Sequence, residues 1–173
     1  MAKDIKTYYE QSYIDNTLRL REVLQTLPSF TKDYFRAVEP TTSAKTRISY
    51  AYDIRVFFHF LIENNPIYHD YTTTQFTLQD LERVEPIDIE EYLEYLKVYK
   101  ADDNQVITNG EKGLARKFSS LRSFYRYFYR HQMIEKNPTI FVDMPKLHDK
   151  AIIRLDIDEV ALLLDYVEIV GKN

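Results

Sequence analysis

GLARKFSSLRSFYRYFYRHQMIEKNP, residues 113–138, is helix-compatible from Leu114 to His131 and then stops at Asn137-Pro138. At about 100° per residue, Leu114, Phe118, Leu121, Tyr125 and Phe128 fall on one stripe, which makes that stripe the core face. Arg122, Arg126 and Arg130, at i, i+4 and i+8, form a second row, with Arg116, Ser119 and Ser123 on its far side. A face of guanidinium and hydroxyl donors with no interspersed carboxylate is suited to phosphate oxygens, and hydroxyls near a helix N-terminus gain from the helix dipole. The competing reading is a row paired with carboxylates of a neighbouring helix, for which Glu90, Glu91 and Glu94 are available. Tyr125 is expected to pack rather than to stack on a base.

The rest of the chain sets the context for this helix. It has 173 residues with a formal charge of −4, 15 Tyr and 10 Phe, but no Trp and no Cys. A core must therefore come from aromatic and aliphatic packing without disulfides or thiolate ligands, which points to a reducing, cytoplasmic setting. The N-terminus MAKDIKTYYEQS carries no apolar leader, and no run approaches the roughly 18 apolar residues of a membrane span; no membrane partner is expected. The acidic total conceals a division. Residues 64–110 hold three basic and ten acidic side chains, whereas residues 111–150 hold nine basic and four acidic ones. Two faces of opposite sign are expected, and the basic one keeps nucleic acid open as a partner.

With only three Gly and no convincing strand alternation, the chain reads as all-α. A first helix is predicted over 4–26, ended by Pro28. A short second one covers SFTKDYFRAV with Ser29 as N-cap, and a third runs from about Thr42 to Asn64 with Tyr50, Ile54, Phe57, Phe58 and Leu61 on its apolar stripe. Residues 65–76 read as a loop and TLQDLERV as a short helix or turn. Pro86 opens a helix through PIDIEEYLEYLKVYK, and the polar, Asn-Gly-containing ADDNQVITNGEKG reads as an exposed loop. Beyond the basic helix comes a linker, and Asp156 with Glu159 forms the capping pattern of a further helix carrying Val160, Leu163, Leu164 and Val167.

Other chemistries find little support. His59, His69, His131 and His148 are scattered without metal-ligand spacing, Gly110 and Gly113 lack the Lys-Ser/Thr of a phosphate-cradling loop, and the adjacent Glu90 and Glu91 point apart on a helix. No catalytic residue, metal or cofactor is expected.

ARKFSSLRSFYRYFYRHQMIEKNP resembles the last major helix of the N-terminal core-binding domain of tyrosine recombinases of the phage-integrase and Xer type, whose pattern is roughly Arg-x-Leu-Ser-Ala-Leu-Arg-x-Phe-Tyr-x-Tyr followed by Asn-Pro. TRISYAYDIRVFFHFLIEN is similar to the same domain's Thr-x-x-x-Tyr-x-x-Asp-Leu-x-x-Phe pattern through Thr46, Tyr50, Asp53, Ile54 and Phe57. MPKLHDKAIIRLDIDEVALLL resembles the linker and first helix of the catalytic domain. Gln132 departs from the family, many members of which have Gly before the Asn-Pro.

The resemblance implies a SAM-like bundle of four to five main helices at 1–143, an interdomain linker at 144–155 and the first helix of a catalytic domain at 156–173. It further implies one half of a clamp on double-stranded DNA, in which the helices carrying Thr46 and Arg116 cross near the major groove. Lys45, Thr46, Arg47, Tyr50, Lys112, Arg116, Lys117, Ser119, Ser120, Arg122, Arg126 and Lys146 are the DNA-binding residues expected on this basis. The family's tyrosine nucleophile and its arginine, lysine and histidine motifs find no match in these residues, so the expectation is a non-catalytic, monomeric fragment whose parent is a recombinase assembling as a tetramer on two DNA sites. The other function class compatible with the sequence is a helical protein-interaction module whose basic helix binds an acidic partner.

Overall fold

The computed structural model describes residues 7–148 and residue 161. Six α-helices, α1 (Tyr8–Gln25), α2 (Thr31–Val38), α3 (Ala44–Asn64), α4 (Leu78–Arg83), α5 (Pro86–Tyr95) and α6 (Glu111–Arg130), form a bundle around α3, against which α1 and α6 both pack. The all-α, SAM-like expectation holds. The helix expected from Asp156 lies outside the described residues. Among those described, no helix is long and apolar enough to cross a membrane.

The sequence sets the helix starts through identifiable caps. Thr7 and Glu10 form a capping box for α1, and Ser43 accepts the Thr46 N–H at 3.1 Å to begin α3. Ser29 does not cap α2, contrary to expectation. The chain enters that helix through a tight turn in which Thr31 N–H donates to the Pro28 carbonyl and Lys32 N–H to that of Ser29, and Phe30 stands at the cap position with no side-chain bond. Those N–H groups already have partners, so the serine hydroxyl is not needed.

A two-stranded antiparallel hairpin joins the end of the stretch expected to be helix, β1 (Val98–Lys100), to part of the segment expected to be an exposed loop, β2 (Val106–Thr108), in the register Val98↔Thr108, Tyr99↔Ile107 and Lys100↔Val106. The helix expected to run to Lys100 ends at Tyr95 instead. Asn109 enforces this end: its side-chain amide donates to the Leu96 carbonyl at 2.7 Å and its backbone N–H to that of Lys97. The reversal itself falls at Asn104, with φ 62°, rather than at Asn109-Gly110.

Tyrosine and phenylalanine build the core. Phe57, Phe58, Phe118, Phe124, Phe128, Tyr34, Tyr68, Tyr92 and Tyr125 are all buried, and their rings meet mostly edge to face, as for Phe124 on Phe128 at 5.0 Å and Phe57 on Tyr92 at 5.1 Å. Each buried phenol has an acceptor: Tyr34 donates to Ser123, Tyr68 to the Asp80 carbonyl, Tyr92 to that of Asp53 and Tyr125 to that of Leu81. Burial pushes the Tyr34 and Tyr68 hydroxyls up to about 12 and those of Tyr92 and Tyr125 well above the ordinary phenol value.

Helix α6 ends in a Schellman motif. Met133 N–H donates to the Phe128 carbonyl and Gln132 N–H to that of Tyr129, with Gln132 in the left-handed region at φ 55°. Asn137 then accepts the Thr139 N–H at 3.1 Å and the Thr139 hydroxyl at 2.7 Å, opening a 3-10 turn over Pro138–Phe141. The basic helix therefore ends before Asn-Pro, which caps a separate turn rather than closing the helix as the sequence suggested.

Two outcomes follow from these features. Gln132→Gly relieves a side chain from a backbone conformation that disfavours it, and a stabilisation of about 0.5–1 kcal/mol is expected after the entropy of the more flexible unfolded chain is subtracted; a lowered melting temperature would contradict this. The raised phenol values also make stability depend on alkaline pH. The contribution of these tyrosines is fully present below the ordinary phenol value near 10 and is lost as pH rises through the folded-state values. Ultraviolet titration of phenolate followed together with helical circular dichroism should show ionisation of the last tyrosines coinciding with unfolding, and complete ionisation with helicity intact would contradict the account.

Candidate nucleic-acid interface

The first half of α3 and one edge of α6, bounded by the exposed Arg116 and the buried Lys117 and Ser120, converge on one carboxylate. Asp53, 2% exposed, sits where its own helix meets α6. Arg116 Nη1 donates to its Oδ2 at 2.7 Å and Nη2 to its Oδ1 at 3.0 Å, a bidentate pair, while Lys117 Nζ reaches Oδ1 at 3.0 Å. Ser120 Oγ lies 3.1 Å from Oδ2 and 2.9 Å from the Lys117 carbonyl, sharing its one hydrogen between them. The cluster also acts on Tyr99 of β1, whose hydroxyl is pushed up by burial and further by the Asp53 charge, with Arg116 opposing. One negative and two positive charges leave this cluster with a net charge of +1, and the two cations are not equally accessible. The Lys117 side chain is 11% exposed and that of Arg116 48%.

The expected DNA-contacting residues divide accordingly. Arg47, Lys117 and Ser120 are buried. Arg47 serves the corner between α2 and α3, where its guanidinium donates to the carbonyls of Glu39 at 3.1 Å and Thr42 at 2.6 Å. Lys117 and Ser120 are committed to Asp53. Lys45, Lys112, Arg116, Ser119, Arg126 and Lys146 are exposed, and Thr46, Tyr50 and Arg122 are half-buried. Thr46 keeps its hydroxyl 2.9 Å from that of Ser43 at the α3 cap. The Tyr34 hydroxyl of α2, raised mainly by burial, also feels Tyr50 of α3 and, in the opposite sense, Arg126 of α6. Arg122 turns to the flank, with its guanidinium carbon 5.7 Å from the centre of the Phe118 ring.

The arginine row does not pair with α5. Glu90, Glu91 and Glu94 are exposed there, and among the described residues no carboxylate lies within 4.0 Å of a cationic nitrogen of Lys45, Lys112, Arg122, Arg126 or Lys146. At the start of α6, Glu111 accepts the His148 N–H at 2.7 Å and meets its ring nitrogen, contacts that hold the Glu111 carboxyl below its usual range. Residues 142–148 thereby return along α6 to its N-terminus, which carries Lys146 to the same end of the helix as Lys112.

A cleft of about 210 Å³ between α3 and the hairpin contains Arg55, His59, Tyr99, Lys100, Asp102 and Lys117 among its walls. Its Lys117 is occupied by Asp53, and His59 lies 3.6 Å from Asp102. Among the described residues no group of three or more metal-ligating side chains is gathered in one place.

Sequence reasoning overlooked Asp53 as the organiser of this face. The signal was its position, one turn from Phe57 and three residues after Tyr50, which puts a carboxylate beside the apolar stripe where it needs a cationic partner.

The family described as phage integrase, N-terminal SAM-like domain, matches residues 30–132. The tyrosine recombinase XerC of Caldanaerobacter subterraneus is 32% identical over 140 residues, covering 79% of this chain and 38% of the relative. XerC of Pediococcus pentosaceus is 34% identical over 124 residues, 72% of this chain and 35% of its own length. XerD of Staphylococcus epidermidis is 31% identical over 101 residues, 50% of this chain and 34% of its own. The chain thus spans about a third of the length of these relatives. No solved structure matches it.

Breaking the cluster from one side should be costly. Asp53→Ala leaves the buried Lys117 ammonium without a counter-charge, and a loss of about 3–5 kcal/mol is expected in denaturant unfolding at neutral pH. Asp53→Asn combined with Lys117→Met removes both buried charges and should recover most of that loss. A cost below about 1 kcal/mol for Asp53→Ala would show that the carboxylate is not a structural centre.

Proposed function

Because this chain belongs to the phage integrase N-terminal SAM-like family, the N-terminal domain of tyrosine recombinases, we propose that it is the DNA-binding half-clamp of a site-specific recombinase. Its partner on this reading is double-stranded DNA, contacted through phosphates by Lys45, Thr46 and Tyr50 of α3, Lys112, Arg116, Ser119 and Arg126 of α6, Arg122 at the flank, and Lys146. The observation that carries the reading is the set of exposed cations on α3, α6 and residue 146 without carboxylate partners among the described residues, beside the residual positive charge of the Asp53 cluster. Long cationic donors on one face, with the acidic side chains of α5 left out of it, fit a polyanion.

Of the residues first expected at the DNA, Arg47, Lys117 and Ser120 support the face from within. Each is buried and holds an internal contact, and releasing it to phosphate would leave buried carbonyls or a carboxylate without that partner. The parent's strand exchange and its assembly as a tetramer on two sites are part of the same proposal and rest on the family.

Duplex affinity measured against salt concentration tests it. The full chain should bind with a steep inverse salt dependence, and Arg126→Ala and Lys45→Ala should each lower the slope by about one unit while leaving melting temperature nearly unchanged. Glu94→Ala should not weaken binding. Absence of duplex binding at low salt, or an unchanged slope in both cationic variants, would overturn the proposal in favour of an acidic protein partner for the basic helix.

A further inference from the structure

We infer that Asp53 is a positioning residue for DNA binding, acting through Arg116, which it holds as a preset phosphate donor; this rests on the DNA-binding reading above. A guanidinium has five N–H donors in a rigid plane. Asp53 takes one from each terminal nitrogen of Arg116, at 2.7 and 3.0 Å, leaving the Nε donor and one on each terminal nitrogen. With 48% of its side chain exposed, Arg116 can offer these outward while remaining fixed from behind. A free arginine on a helix surface loses rotamer freedom when it binds; here that ordering has already occurred during folding.

The second cation makes this arrangement work. A bidentate carboxylate alone would neutralise Arg116 and diminish its attraction for phosphate. Lys117, buried and 3.0 Å from the same carboxylate, supplies a compensating positive charge. Lys117 and Asp53 nearly cancel inside the protein, so the net charge of the cluster is delivered at Arg116, the exposed member. Ser120 completes the support by occupying the remaining side of Oδ2.

The test keeps charge and fold constant. Asp53→Asn with Lys117→Met removes one charge of each sign, so the net charge of the chain is unchanged while Arg116 loses its anchor. Duplex binding by the full chain is measured against salt for wild type, for Arg116→Ala, for the double variant and for the triple variant, with folded fraction checked by melting. The inference expects the double variant to bind several-fold more weakly than wild type at equal folded fraction, and Arg116→Ala to cost markedly less in that background than in wild type. Equal affinity of the double variant and wild type, or an identical Arg116→Ala penalty in both backgrounds, overturns the inference. If wild type binds with the steep salt slope and only these couplings are missing, the DNA-binding reading survives alone. If wild type does not bind duplex at low salt, both fall.

Discussion

A carboxylate buried between two helices is tolerated only when its charge is met by well-placed cations and donors, and Asp53 imposes that condition on this molecule. Its demands set the rotation of α6 against α3, because Arg116, Lys117 and Ser120 can reach it together only when one edge of α6 faces it. The Asp53 backbone is involved as well, since its carbonyl accepts from the buried Tyr92 of α5 at 3.4 Å. Three helices are thus referred to one residue. Hydrophobic packing would allow α6 to turn by some degrees with little penalty, whereas bidentate geometry does not. The orientation fixed in this way is the one that turns Lys112, Ser119 and Arg126 outward.

The division of labour among cations follows from position on the helix. Lys117 shares a stripe with Leu114, Leu121, Phe124 and Phe128, and Arg47 shares one with Ala51 and Ile54; both stripes face the core. Their charges are satisfied internally by Asp53 and by the carbonyls at the α2–α3 corner. Arg126 and Lys112 project from the opposite side of α6. A basic residue count therefore overstates the face available to a polyanion, and the burial pattern gives the better measure.

Much of this was legible from periodicity. The basic helix, the long α3 with its apolar stripe and the start of α5 at Pro86 depend on contacts within a few residues, which sequence spacing reports well. The hairpin was missed because each strand is only three residues long, too short for alternation to register, and because YLKVYK continues a helical composition until Asn109 closes the helix end from beyond. The reading that competed with phosphate paired the arginine row with Glu90, Glu91 and Glu94 on charge grounds. The carboxylate that α6 does engage, through Arg116 and Lys117, is a single acid 63 residues away from Arg116 in the chain, a pairing that local pattern does not encode. Gln132, noted as a departure from the family's glycine, was informative in that sense too, since it occupies a left-handed position.

In the proposed function, α3 and α6 present one DNA-binding face organised around Asp53. Backbone amide shifts recorded during titration of the full chain with duplex DNA test it residue by residue. The account predicts that perturbations concentrate at residues 45–50 and along 112–126, with residues 90–94 of α5 unaffected. Perturbations centred on α5, or spread evenly with none preferred on α3 and α6, would contradict it.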